Sequence, residues 1–197
     1  ELENKLWQQA RLFEYLNEMP ISQVLLPEVE ADDIIAYVTQ MGSLKGWQKV
    51  IVSSDKDFFQ LCDEETVLFR PVQKEVLNQA RISEKFGIHP TNMALARAMA
   101  GDKSDNLPGV PGAGLKSIAK RFPFLAEEKT CDLKTLFDFC ESLDSNLKIF
   151  TGVLENKEVI EENYKIMQLY SPSISVQGKN KICYAIEEAE QQFNKTA

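Results

Sequence analysis

One histidine and four cysteines in 197 residues remove several chemistries at once. The cysteines at 62, 131, 140 and 183 form no C-x-x-C pair and have no histidines to partner them, which argues against a zinc site. The N-terminal stretch "ELENKLWQQARLFEYL" lacks the basic start and apolar block of a signal peptide. Reduced thiols in a cytoplasmic compartment are therefore expected. No apolar run approaches the roughly 20 residues needed to cross a bilayer, so no membrane partner is expected. Internal repeats and low-complexity tracts are also missing. What remains is an ordinary globular composition, 44% hydrophobic and 26% charged, long enough for one sizeable domain or a core with a smaller lobe.

The net charge of −8 weighs against a nucleic-acid partner until its distribution is read. Between Ala94 and Arg121 five basic residues (Arg97, Lys103, Lys116, Lys120, Arg121) face two acids, a local balance of +3. Between Ala126 and Tyr164 ten acids face four lysines, a balance of −6. A basic stretch thus stands beside an acidic one, and the acidic one is expected to be a solvated face turned away from any polyanion.

Periodicity predicts a helix over 3–18, a strand in "SQVLLP" ending at Pro27, and an amphipathic helix over 31–41 closed by Gly42. "KVIVSS" at 49–54 reads as a strand buried on both faces, and "TVLFRP" with "KEVLN" as a hairpin. Strand, helix, strand over the first 80 residues implies a parallel α/β sheet, and the pattern after Arg81 is almost wholly helical. The expected division is an α/β core over 1–80 and a helical lobe over 81–197.

Seven carboxylates stand in three groups. Glu30, Asp32 and Asp33 open the helix after Pro27; Asp55 and Asp57 follow the strand at 49–54; Asp102 and Asp105 end the helix around 92–100. Singly, each group has an ordinary explanation as helix capping, turn formation or solvated loop. Together they account for most of the acidity, since discounting seven charges takes −8 to −1. Two groups sit at the carboxyl ends of predicted strands, where open parallel sheets build their sites. Packed unpaired, such acids would raise one another's pKa values. Divalent cations resolve that conflict, and hard oxygen donors select Mg²⁺ or Mn²⁺. Two such ions roughly 4 Å apart suit in-line phosphodiester displacement, so the acids are expected within one cleft.

"GDKSDNLPGVPGAG", residues 101–114, adds a second phosphate-handling device. Gly109, Gly112 and Gly114 permit close backbone approach, and Pro108 and Pro111 stiffen the path. "LKSIAKRF" then starts a helix, presenting free N–H groups with Lys116, Lys120 and Arg121 close behind. A plain helix–helix connection would use the same glycines; the adjacent Asp102 and Asp105 favour the functional reading. His89 reads as a structural cap, Lys56 and Lys103 as ion-pair partners of the acids, and Phe58 and Phe59 as core.

"EADD" at 30–33, "SSDKDFFQL" at 53–61 and "GDKSDNLPGVPGAG" at 101–114 come in the order and spacing of the 5′-nuclease superfamily. From about Leu6 to Ser171 the chain resembles the 5′→3′ exonuclease/flap endonuclease domain of bacterial DNA polymerase I and its stand-alone phage and bacterial relatives. The resemblance implies that Glu30, Asp32 and Asp33 belong to a first metal site, that Asp55 and Asp57 bridge toward a second, and that Asp102 and Asp105 complete it. It further implies a helix-3-turn-helix near 92–122 that grips duplex DNA through Gly112, Gly114, Lys116, Lys120 and Arg121. There it implies a K⁺ held by the carbonyls of Gly109, Val110 and Ala113. The substrates it implies are DNA 5′ flaps or ends, with RNA–DNA hybrids a further class, and the protein would act as a monomer. Family members begin with a strand, two metal-binding aspartates and a basic helical arch that these 197 residues do not include. The expectation is thus an incomplete core with seven of nine metal-site acids, followed by the helical lobe. A non-cleaving relative that holds duplex DNA through the 109–121 turn is the rival reading; an RNA-cleaving relative of the broader fold is disfavoured by the Gly–Pro turn.

Overall fold

The computed structural model describes residues 2–143 and 145–196. It divides into a smaller unit, Glu1–Glu30 with Ser173–Ala197, and a larger one, Ala31–Pro172. The expected boundary at 80/81 falls inside the larger unit. In the smaller unit, α1 (Leu2–Asn17) buries none of its residues and exposes Leu6, Trp7 and Phe13, while α9 covers Val176–Thr196. Residues 22–27, expected as a strand, join no sheet. A strand is fixed by a ladder partner for its amides, and among the described residues this segment has none.

The larger unit opens with α2 (Ala31–Thr39), which is apolar along Ile34, Ile35 and Val38 and buries Ala36 fully. Three strands follow, β1 (Lys49–Val52), β2 (Thr66–Arg70) and β3 (Glu75–Leu77), in the order β1-β2-β3. β1 and β2 run parallel, with Lys49 opposite Thr66 and Val52 opposite Phe69. β2 and β3 form the expected hairpin, Leu68 opposite Leu77, turned by Lys74 at φ 51°. The helix that the sequence pattern places between two parallel strands, α2, instead precedes the sheet, and the parallel crossover carries a single 3₁₀ segment, Asp57–Leu61. β1 is also not buried on both faces. Ile51 is buried, but Val50 and Val52 are 56% and 64% exposed, lining an apolar groove of about 360 Å³ with Ile34, Ile35 and Val38 of α2.

Seven further helices are found among the described residues. In the larger unit these are α3 (Gln79–Phe86), α4 (Met93–Ala100), α5 (Leu115–Arg121), α6 (Leu133–Ser142), α7 (Lys148–Glu155) and α8 (Lys157–Met167); α9 belongs to the smaller one. α3 is capped at both ends, by the Asn78 side chain accepting from Arg81 N–H and by Gly87 in the left-handed region. α4 is alanine-rich and buried from Met93 to Met99, so neighbours surround it; α8 packs against it through Ile160, Asn163 and Met167. One core runs from Ala36 to Leu169, with Phe58 and Phe59 inside it as expected. Its aromatic centre is Phe122, whose ring meets Phe124, Phe139 and Phe150 at centroid distances of 5.5–6.0 Å, two of them edge-on. Phe122→Ala should therefore cost about 3–5 kcal/mol in urea unfolding. Val72→Ala, at a 79% exposed site, should stay within about 0.5 kcal/mol.

Candidate functional site

The 57–61 segment and the loop after α4 face each other, and one guanidinium joins them. Arg97, 5% exposed, projects from α4 with its Nε 2.5 Å from Asp57 Oδ1 and an Nη 2.8 Å from Asp102 Oδ2. Asp102 is committed on its other oxygen as well, since Oδ1 accepts the Ser104 N–H at 2.8 Å and the Ser104 hydroxyl. These hydrogen bonds, followed by Arg97, hold the Asp102 carboxyl down at about 2. Burial pushes the Asp57 carboxyl up, with Arg97 opposing and the charges of Asp55 and Asp102 assisting. The guanidinium at 2.5 Å is the group that opposes this rise. Asp55 is exposed and its Oδ1 accepts the Asp57 N–H at 2.9 Å, so the two aspartates are fixed by one turn.

Buried Gln60 bolts this turn down from behind. Its amide nitrogen donates to the carbonyls of Asp57 and Met167, and its oxygen accepts the Leu169 N–H at 2.8 Å. At the end of β2, Arg70 donates to the Ser54 carbonyl and holds the approach to Asp55.

The structure therefore brings two of the seven predicted acids, Asp57 and Asp102, onto Arg97, with Asp55 on the same turn as Asp57. Asp32 and Asp33 form a separate pair in the first turn of α2, where Asp32 Oδ1 accepts the Asp33 N–H. Burial and then the Asp32 charge push the Asp33 carboxyl up. Glu30 is exposed at the end of the smaller unit, and Asp105 is exposed in the loop beyond Asp102. Among the described residues no three acid, histidine or cysteine side chains stand as a metal-holding group. Arg97 bridges Asp57 and Asp102. The donor chemistry still suits Mg²⁺ or Mn²⁺: these are hard carboxylate oxygens. In the sequence Arg97 registers only as local positive charge; Lys56 and Lys103, expected as ion-pair partners, are exposed and in no described ion pair.

The turn after Asp102 is unusually tight. Gly101, at φ 71°, leads into a two-residue bridge in which Asp102 and Leu107 exchange both backbone hydrogen bonds. A Cβ on Gly109 would lie 2.0 Å from the Ala100 carbonyl oxygen, so only glycine fits that crossing. Val110 N–H then bonds the Met99 carbonyl, and Ala113 N–H the Val110 carbonyl. Asn163 of α8, 2% exposed, closes the clamp by donating to the carbonyls of Ala98 and Pro108 at 3.0 and 2.8 Å. No motif in the sequence points to Asn163, though it lies on the 160, 163, 167 stripe that α8 buries.

The clamped turn surrounds a hollow of about 470 Å³ lined by Lys103, Pro108, Gly109, Val110, Gly112, Ala113 and Gly114, among others. Val110 and Ala113 are buried, whereas Gly112 and Gly114 are exposed, as are Lys116, Lys120 and Arg121 on α5. His89 caps the 3₁₀ turn at 90–92 by accepting the Thr91 N–H, the structural part expected of it.

Two outcomes follow from this geometry. Gly109→Ala must push two backbone segments apart and should destabilise by several kcal/mol, whereas Gly112→Ala, at φ 78° with open space around it, should cost about 1–2 kcal/mol by thermal unfolding. Asp102 has a folded-state pKa below its ordinary value of 3.8, so its contribution is full above that pH and is lost as pH falls toward about 2. Asp102→Asn should remove that part of the acid limb from a plot of urea midpoint against pH.

A fold of this kind, with acids at the end of β1 and a glycine-clamped helical turn, agrees with the matches to known proteins, which support the 5′-nuclease superfamily. Residues 1–87 match the family model described as "5'-3' exonuclease, N-terminal resolvase-like domain". A 5′-3′ exonuclease of Aquifex aeolicus is 33% identical over 148 residues, covering 74% of this chain and 47% of the relative. One from Buchnera aphidicola (Schizaphis graminum) is 36% identical over 143 residues, covering 72% and 48%. The chain thus spans about half the length of the curated relatives it matches. Among solved structures, T5 D15 protein co-crystallized with metal ions superposes with a TM-score of 0.71 at 19% identity, covering 96% of this chain and 71% of that one. T5 5′-exonuclease with bound zinc superposes with a TM-score of 0.66 at 20% identity, covering 84% and 60%. At that identity the likeness is one of fold.

Proposed function

We propose that this chain is the acidic and DNA-gripping part of a divalent-metal-dependent 5′→3′ exonuclease and flap endonuclease, hydrolysing phosphodiester bonds at DNA 5′ ends or flaps during replication and repair. The observation that carries the reading is the coupling of two devices through one end of α4. Arg97 binds Asp102 at the acidic end, and Gly109 crosses Ala100 at the turn, so acids and turn share one rigid frame. Support for metal comes from the donor chemistry and from fold neighbours described with bound metal ions. Two Mg²⁺ or Mn²⁺ ions, when bound, would supply positive charge to the scissile phosphate and its attacking water. The acids of the chain, Glu30, Asp32, Asp33, Asp55, Asp57, Asp102 and Asp105, would supply the oxygens.

The turn does the holding. Exposed Gly112 and Gly114 let a phosphate approach the start of α5, and Lys116, Lys120 and Arg121 add charge along the backbone path. The carbonyls of Gly109, Val110 and Ala113 are the oxygens a K⁺ would use. Such contacts read no bases, so duplexes of any sequence, and RNA–DNA hybrids of similar backbone geometry, are accepted. A fold neighbour described as a complex with DNA agrees with this partner.

The rival reading is a duplex-binding relative that does not cut, and the neutralisation of Asp57 and Asp102 by Arg97 favours it. One experiment separates them. The protein is incubated with a 5′-flap duplex and Mg²⁺ or EDTA, and binding and cleavage are scored together. Lys116→Ala with Lys120→Ala should weaken binding uniformly across sequences and reduce the salt slope by about 1 for each phosphate no longer neutralised. Asp55→Asn with Asp102→Asn should abolish Mg²⁺-dependent cleavage at unchanged duplex affinity. Tight binding without cleavage would establish the rival, and salt dependence untouched by the lysine changes would remove the turn as the grip.

A further inference from the structure

The Arg97 ion pairs join the 57–61 turn to α4 at two of the acids that the metal reading names. A fixed guanidinium between two carboxylates does the electrostatic work a divalent cation would do there. We propose that Arg97 is a resident cation that a divalent metal displaces, so that metal loading and the Arg97 ion pairs are alternative states of the junction between the 57–61 turn and α4. The inference rests on the metal reading above.

The oxygen inventory decides which group must yield. Asp102 has both oxygens engaged, Oδ2 by Arg97 at 2.8 Å and Oδ1 by the N–H and hydroxyl of Ser104. A cation reaching Oδ1 would strip two bonds that shape the loop, whereas one reaching Oδ2 breaks a single bond. Asp57 Oδ1 is likewise held by Arg97 Nε at 2.5 Å. Arg97 is thus the one group whose movement releases an oxygen on both acids. Its charge also opposes a second cation at the same place, so coexistence is electrostatically unfavourable. Asp55, whose charge already acts on Asp57, lies on the same turn and accepts the Asp57 N–H.

Two consequences are measurable without any cleavage assay. The apparent metal affinity of the protein is reduced by the fraction of time Arg97 holds the acids, and removing Arg97 removes that reduction. The metal-free fold, in contrast, loses the counter-charge of a half-buried carboxylate pair. Arg97→Met should therefore lower the metal-free melting temperature yet bind Mn²⁺ about tenfold more tightly, the size expected for removing a charge-assisted hydrogen-bonded competitor. Mn²⁺ affinity is read by electron paramagnetic resonance of the free ion, with Asp102→Asn as the control that loses the site. If Arg97→Met does not fold, the wild-type protein decides the matter. Its Arg97 Nε–H resonance in ¹H–¹⁵N spectra, assigned by its loss in Arg97→Lys, should move upfield as Mg²⁺ saturates the site. Mn²⁺ bound equally or more weakly by Arg97→Met, or an Nε–H signal unmoved at saturating Mg²⁺, would overturn the displacement and leave the metal reading standing. Failure of the wild-type protein and Arg97→Met alike to bind Mn²⁺ would overturn both.

Discussion

Burying a guanidinium is tolerable only where its charge is matched, and Arg97 has a carboxylate on each side at hydrogen-bonding distance. Its partners come from different elements, Asp57 from the crossover between β1 and β2 and Asp102 from the loop beyond α4. Removing Arg97 would leave two carboxylates without their shared partner, whereas removing either acid still leaves the guanidinium one. The sheet's crossover and the helical segment therefore cannot drift apart cheaply. Gln60 adds a neutral tie in the same direction, joining the crossover to the end of α8 through three backbone groups.

The second frame is made of backbone. Between Ala100 and Gly109 the chain crosses itself at a distance that excludes any side chain at Gly101 or Gly109, and the Asp102–Leu107 bridge closes the loop between. Asn163 then satisfies two carbonyls, those of Ala98 and Pro108, that the crossing leaves without amide partners on their own strands of chain. α4 thus carries both frames, the ionic one through Arg97 and the backbone one through its last turn. That arrangement ties Asp57 and Asp102 to the glycine turn, and a fixed relation between groups is what positioning chemistry requires.

Much of this is legible in the sequence, and the exceptions have physical causes. The α2 periodicity, the β2–β3 hairpin, the glycine turn and the family itself are local signals, carried by residues near one another in the chain. The segment at 22–27 reads as a strand because of its short apolar run, but strand formation depends on a partner that periodicity cannot supply. β1 reads as buried on both faces because Val50, Ile51 and Val52 are all β-branched, yet only Ile51 is covered. Charge counting along the chain cannot see that Arg97 lies between Asp57, 40 positions before it, and Asp102, five after. Asn163 is hidden inside an acid-rich helix, although a lone amide on a buried stripe is itself a signal that something polar opposite needs satisfying.

The acidic helices gain a meaning from the same geometry. Glu158 and Glu162 are exposed on α8 while Ile160, Asn163 and Met167 turn inward against α4. Lys116, Lys120 and Arg121 are exposed on α5. A polyanion approaching this unit meets attraction from one helix and repulsion from the other, so the field orients it before any contact forms. The excess of negative charge, −8 overall, then limits non-specific adhesion to nucleic acid without weakening the local grip. Salt at physiological strength screens charges beyond about 8 Å, so the distant acids are muted while contacts at the turn persist. On the proposed function, an acidic protein with a small basic helix would suit brief, oriented engagement with a DNA end better than a uniformly basic one. The latter would be held along the whole duplex by counterion release alone.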